Sequence, residues 1–110
     1  MSDSTTTIAS GAALVTLINV FTVKREDQDR LVQLLIEATE HTMKNVPGFI
    51  SANIHKSLDG ERVTNYAQWA SKEAFEAMLK NPQAREHMAP IQKIATYDAH
   101  LYQVVSVHHE

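Results

Sequence analysis

An α+β domain is the fold class this sequence predicts, with elements in the order strand, helix, strand, strand, helix, strand. Three observations carry it. Stretches rich in β-branched and aromatic residues stand near both ends of the chain, an amphipathic run with helical spacing follows the first, and Asp59-Gly60 separates two further strand-like runs. Apolar residues recurring every three or four positions make one stripe on a helix. Asp-Gly between strand-like runs is one of the strongest short-range hairpin signals, because those residues tolerate positive φ.

The elements follow in order. Leu14 to Val23, LVTLINVFTV, is nearly continuous in apolarity, as expected for a strand covered on both faces. EDQDRLVQLLIEATEHTMKNV carries acids in its first turn and Leu31, Leu34, Leu35, Ala38 and Thr42 at helical spacing, and Pro47-Gly48 ends it. FISANIHKSL and ERVTNYAQWA pair antiparallel across the Asp59-Gly60 turn. Ser71 is placed to cap a short helix through KEAFEAMLK, with Glu73 in its first turn, and Asn81-Pro82 caps and opens another helical turn, QAREHMAPI. TYDAHLYQVVSV closes the chain as the fourth strand. This β-α-β-β-α-β order is the split βαβ arrangement of ferredoxin-like folds, with both helices on one face of a four-stranded antiparallel sheet. The first strand is apolar in both parities, Val15, Leu17 and Phe21 against Leu14, Ile18 and Val20. The second set needs cover, and the same sheet of a second copy supplies it, which predicts a homodimer.

Composition bounds what such a domain does. With 110 residues, 44% of them hydrophobic and 21% charged, the chain suits one domain, expected over 14–110 behind a flexible polar arm over 1–13. The absence of cysteine removes disulfides, a thiolate nucleophile and Cys-based metal sites, and is compatible with a reducing cytoplasm. A net charge of -3 gives no basic footprint for nucleic acid or an anionic membrane, and no stretch approaches the length of a membrane-spanning helix. His41, His55, His87, His100, His108 and His109 are scattered without ligand spacing, so no metal is expected.

The informative stretch is VTNYAQWASKEAF, which puts amides and the chain's single tryptophan where a strand enters a helix. Val63, Asn65, Ala67 and Trp69 share one face of the third strand, and Arg62, Thr64, Tyr66 and Gln68 the other. The first set is apolar and belongs under the helices, so Asn65 is a polar group in an apolar layer. Asn19 interrupts the apolar row of the first strand in the same way. Together they suggest a pocket between sheet and helices that fixes a mostly apolar ligand with a few placed groups. An asparagine that satisfies a neighbouring loop, and a tryptophan that only fills core, is the alternative.

His55 depends on register, because a one-residue slip flips every side chain. A two-residue Asp59-Gly60 turn sets Ile54 opposite Asn65 and lets Ile50, Ala52 and Ile54 extend the apolar layer. A three-residue loop with a glycine bulge sets Asn53 opposite Asn65 and turns His55 to the pocket side. The hydrophobic pattern favours the first.

VPGFISANIHKSLDG, followed by VTNYAQWASKEAFEAM and REHMAPI, resembles the antibiotic biosynthesis monooxygenase domain family over Leu14 to Val107. The fit is closest to the small cofactor-free monooxygenases of aromatic polyketide pathways, which carry the same Asn-Tyr-Ala-Gln-Trp run. The resemblance implies a dimeric α+β barrel and oxidation of a phenolic or anthrone-type aromatic to a quinone by O2, without metal, haem or flavin. It implies that Asn65 and Trp69 hold the substrate's oxo groups, since neutral N–H donors stabilise the negative charge left when a phenolic proton departs. It also implies that the position of Phe75 holds a tyrosine in those relatives, and that a basic residue further on corresponds to Arg85 or His87. Asn19, His55, Phe75, Arg85 and His87 are therefore the candidate substrate contacts around Asn65 and Trp69.

Two rival readings remain. A haem-degrading branch of the same superfamily uses a first-strand asparagine, a helical tryptophan and an iron-ligating histidine. Asn19 matches the first, whereas Met78 falls near the second and His87 lies about one residue from the third. A non-catalytic module that binds a small aromatic would carry the same Asn65 and Trp69.

Overall fold

The computed structural model describes residues 4–110. A four-stranded antiparallel sheet is built from β1 (Val15–Val23), β2 (Phe49–Lys56), β3 (Arg62–Trp69) and β4 (Ala95–Tyr102) in the spatial order β2-β3-β1-β4. Helices α1 (Gln28–His41), α2 (Lys72–Leu79) and α3 (Pro82–Ile94) complete the order, and α1 and α3 pack on the sheet and on each other. This is the ferredoxin-like arrangement the sequence predicts. None of the described helices is long and apolar enough to cross a membrane.

Local chemistry places each boundary. Ser71 Oγ accepts from Ala74 N at 3.0 Å and starts α2, and Asn81 Oδ1 accepts from Gln83 N and Ala84 N at 2.9 and 3.3 Å to start α3. Gln28, buried at the start of α1, donates to the carbonyls of Ser57 and Arg62 at 3.0 and 2.9 Å and ties that helix to the β2–β3 hairpin. In the hairpin loop Asp59 accepts from Ser57 Oγ and Glu61 N, which holds its exposed carboxyl below the usual range.

Four features differ from expectation. The first helix ends at His41 rather than running to Val46, and a 3-10 turn over Met43–Asn45 follows. The helical turn after Pro82 continues to Ile94 through Pro90, whose ring nitrogen leaves the Glu86 carbonyl without its helical donor. The last strand stops at Tyr102, not Val107: Tyr102 pairs with Thr16, one residue short of the start of β1 at Val15. A bulge between Phe49 and Ser51 takes Ile50 out of the ladder. Phe49 therefore packs under the helices, and Ile50, expected there, is 47% exposed.

The segment anticipated as an arm has described residues 4–13 without regular structure. Thr6 Oγ1 donates to Asn53 Oδ1, and the Thr7 carbonyl accepts from Gln68 Nε2 at 2.8 Å, so this segment lies on the sheet face away from the helices. Gln68 is buried there, with Oε1 accepting from Ser51 Oγ at 2.8 Å. Its two amide ends are thereby satisfied, unlike those on the opposite face.

Candidate active site

Side chains on the helix-facing side of the sheet form rows across the strands. Asn65 of β3 stands directly opposite Asn19 of β1, with Ile54 of β2 and Ala99 of β4 completing the row. The next row is Ala52, Ala67, Leu17 and Leu101. Beyond it Phe49 and Trp69 face Val15, and on the other side of the amides Val63, Phe21 and Tyr97 align. Ile54 opposite Asn65 is the register of a two-residue turn, although the ladder ends at Lys56–Val63 and Leu58 and Glu61 stay outside it.

Above the amide row the core divides. Phe21, Val23, Leu31, Leu35, Val63 and Ile91 form one apolar cluster, and Leu17, Val46, Ala67, Trp69 and Met78 another. A cavity of about 450 Å³ extends between sheet and helices, in the range of small-molecule sites. Its space comes from small residues: Ala38, Ala52, Ala67, Ala84 and Ala99 all line it. Larger side chains at these points would fill the volume by packing.

Three polar atoms within this apolar layer are unusual. Asn19 Oδ1, Asn65 Oδ1 and Trp69 Nε1 are buried without a hydrogen-bond partner among the described residues, and all three side chains line the cavity. An unmet buried donor or acceptor costs about 1–3 kcal/mol; a fourth such atom, Thr16 Oγ1, lies on the other face of the sheet, so three of the four gather around this one cavity. Trp69 is held rigidly, 2% exposed, with the rings of Phe49 and Phe75 edge-on at 5.6 and 6.1 Å. Phe75 therefore contributes an apolar wall and an orienting contact.

The remaining candidates separate. Arg85 lines the cavity from α3, in one stripe with Met88 and Gln92, and is exposed at its edge. His55 does not reach it. His55 pairs with Thr64 on the opposite face of the sheet, exposed, with Nδ1 3.0 Å from the Asn53 carbonyl oxygen; the register that puts Ile54 under the helices turns His55 away. His87 is half-buried on α3 and lies outside the cavity lining. Among the described residues no histidine lines the cavity, and Met78 supplies a thioether wall there, so the residues present do not fit the haem-ligating arrangement.

Sequence reasoning missed Thr39, Gln92 and Tyr97, all of which line the cavity. Tyr97 had a signal, since it shares strand parity with Ala95, Ala99 and Leu101, the apolar side of β4. Gln92 had none while the helix was expected to end near Pro90.

A two-layer α+β domain whose apolar cavity carries unmet amide and indole groups defines a small-molecule site. The family model described as antibiotic biosynthesis monooxygenase matches residues 14–90, and the chain belongs to that family. The tetracenomycin-F1 monooxygenase of Streptomyces glaucescens is 46% identical over 81 residues, covering 74% of this chain and 72% of that one. Among solved structures, SnoaB of Streptomyces nogalater, described as a cofactor-independent oxygenase and solved as an asparagine-to-alanine variant, superposes with a TM-score of 0.79 at 21% identity, over 90% of this chain and all of that one. The ActVA-Orf6 monooxygenase of Streptomyces coelicolor, solved with nanaomycin D, also gives a TM-score of 0.79, at 26% identity over 87% of this chain and 91% of that one.

Proposed function

We propose that this protein is a cofactor-independent monooxygenase that oxidises a phenolic or anthrone-type polycyclic aromatic to a quinone with O2. The observation that carries the proposal is the set of unmet buried atoms on Asn19, Asn65 and Trp69 in an aromatic-walled cavity of about 450 Å³. Kinship to the tetracenomycin-F1 monooxygenase supports the same reading.

The chemistry balances without a further reductant. A methylene of the anthrone type loses a proton to give a delocalised carbanion with charge on the phenolic and carbonyl oxygens. That anion passes an electron to O2, the C–O bond forms, and the resulting hydroperoxide loses water to leave a carbonyl. One oxygen atom enters the product and the other leaves as water. Asn65 and Trp69 act on the anion. The Trp69 side chain lines the cavity with its buried indole N–H unpaired, and an amide turns about its soft terminal torsion to present N–H2 to a ligand oxygen. Donors fixed in an apolar layer stabilise such charge far better than solvent does.

Among the described residues no carboxylate or histidine lines the cavity, so no conventional general base faces the substrate. The proton then leaves through water at the mouth, and the site selects substrates acidic enough to ionise when donors surround their oxygens. Arg85, at that mouth, favours the anion by charge. Oxygen uptake with anthrone, which should proceed at one O2 per anthraquinone formed with no added metal or flavin, tests the proposal. A melting-temperature shift with the quinone but no oxygen consumption would establish a binding module instead.

The same reading includes a homodimer in the cytoplasm. On the sheet face away from the helices, Ile18 and Val20 remain half-buried in the single chain and Tyr102 is 47% exposed. Residues 6 and 7 sit on the β2–β3 half of that face, leaving β1 and β4 for a second copy. Val20→Asp forces an unpaired charge into such an interface and should convert dimer to monomer or unfolded chain in sedimentation at micromolar concentration. Wild-type protein sedimenting as a monomer under those conditions counts against the dimer.

A further inference from the structure

The cavity lining runs along the strands from Phe49 and Trp69 to Phe21 and Tyr97, and its polar groups stand at intervals along that direction. Trp69 is at one end of β3 and Asn65 four residues before it. The Val63–Phe21–Tyr97 row lies two residues further on, which is roughly 7 Å past the amides at about 3.3 Å per residue. Of the residues that β4 turns toward the helices, Ala95, Tyr97, Ala99 and Leu101, only Tyr97 is polar. Its ring is fixed against the fully buried Phe21, centroids 5.8 Å apart and tilted by 47°. It is nevertheless 47% exposed, and the other exposed lining residues of this side, Arg85, Gln92 and Ala99, mark the mouth between α3 and β4. Ala99, directly opposite Asn19, is too small to separate the amide row from the phenol.

We infer that Tyr97 is a specificity-determining residue whose phenolic O–H hydrogen-bonds an oxygen substituent on the substrate ring that projects past Asn19 and Asn65 toward the mouth. The substrate class is a polycyclic aromatic with oxygens at two places along its long axis, one within reach of the amides and one on the outer ring. This inference rests on the proposed function for the aromatic nature of the ligand, but not on turnover. A ring serving only as a wall against Phe21 would leave the same packing and read no substituent.

Tyr97→Phe keeps the ring and removes only the hydroxyl. The single tryptophan, Trp69, lines the cavity and reports occupancy by fluorescence quenching, so binding is read without catalysis. Titration with 2-hydroxyanthraquinone and with unsubstituted 9,10-anthraquinone should show wild type binding the hydroxylated compound more tightly. Tyr97→Phe should weaken that compound roughly 3–10-fold, the range of one hydrogen bond, and leave the parent quinone unchanged. Equal loss for both compounds, no loss for either, or a wild-type protein that binds neither overturns the inference. Retained discrimination in a protein that consumes no oxygen with anthrone supports the Tyr97 contact and defeats the oxygenase reading alone.

Discussion

Asn65→Ala is expected to lower anthrone turnover by roughly 10²–10³-fold, the usual consequence of losing one donor to a developing oxyanion. The same change should leave the melting temperature at or slightly above wild type. Asn65 Oδ1 is buried with nothing to bond among the described residues, so its removal relieves a desolvation cost and severs no contact that holds the fold. An asparagine present for structure gives the reverse pattern, a lower melting temperature with activity scaling to the folded fraction. Trp69→Phe separates the indole N–H from the ring: turnover should fall by more than the folded fraction does, because Phe49 and Phe75 still pack against an aromatic. Full activity from a folded Asn65→Ala protein would defeat the proposed role.

Gly48→Ala should be the most damaging conservative change in the chain, at about 2–4 kcal/mol measured by denaturant unfolding. Gly48 has φ +87°, and a Cβ placed there would overlap the Cβ of Ala74. Its carbonyl also accepts from Ala70 N at 2.7 Å, which fixes the loop before β2 to the end of β3. Neither the strand end nor α2 is free to move aside, because Ser71 Oγ holds Ala74 N at 3.0 Å and so fixes the first turn of α2 against the loop. The double change Gly48→Ala with Ala74→Gly should recover the steric part of the loss and keep the part due to positive φ. A Gly48→Ala protein within about 0.5 kcal/mol of wild type, the scatter of neutral surface changes, would show that the contact yields.

The order of elements was legible because periodicity, Asp59-Gly60 and the Ser71 and Asn81 caps are local signals that agree with the global fold. The inward face of β3 was legible for the same reason, since Val63, Ala67 and Trp69 outvote Asn65. Register followed from burying Ile54, and with it the exclusion of His55. The bulge at Ile50 was hidden, because Phe49 and Ile50 are both apolar and the local pattern does not tell which one turns inward. Tyr97 and Gln92 were hidden because a site contact on β4 or at the end of α3 depends on which neighbours leave space, and that is a property of the assembled layers.

The alanines that hollow the cavity have a genetic consequence. Ala38, Ala52, Ala67, Ala84 and Ala99 come from five different strands and helices, yet border one space. Every alanine codon is a single nucleotide from a valine codon and from a glycine codon. A lineage carrying this gene can therefore contract or enlarge the chamber in small steps, from several directions, without touching Asn19, Asn65 or Trp69. The shape of the chamber and its polar groups are thus inherited on separate sets of positions, and the first can drift or be selected while the second is kept.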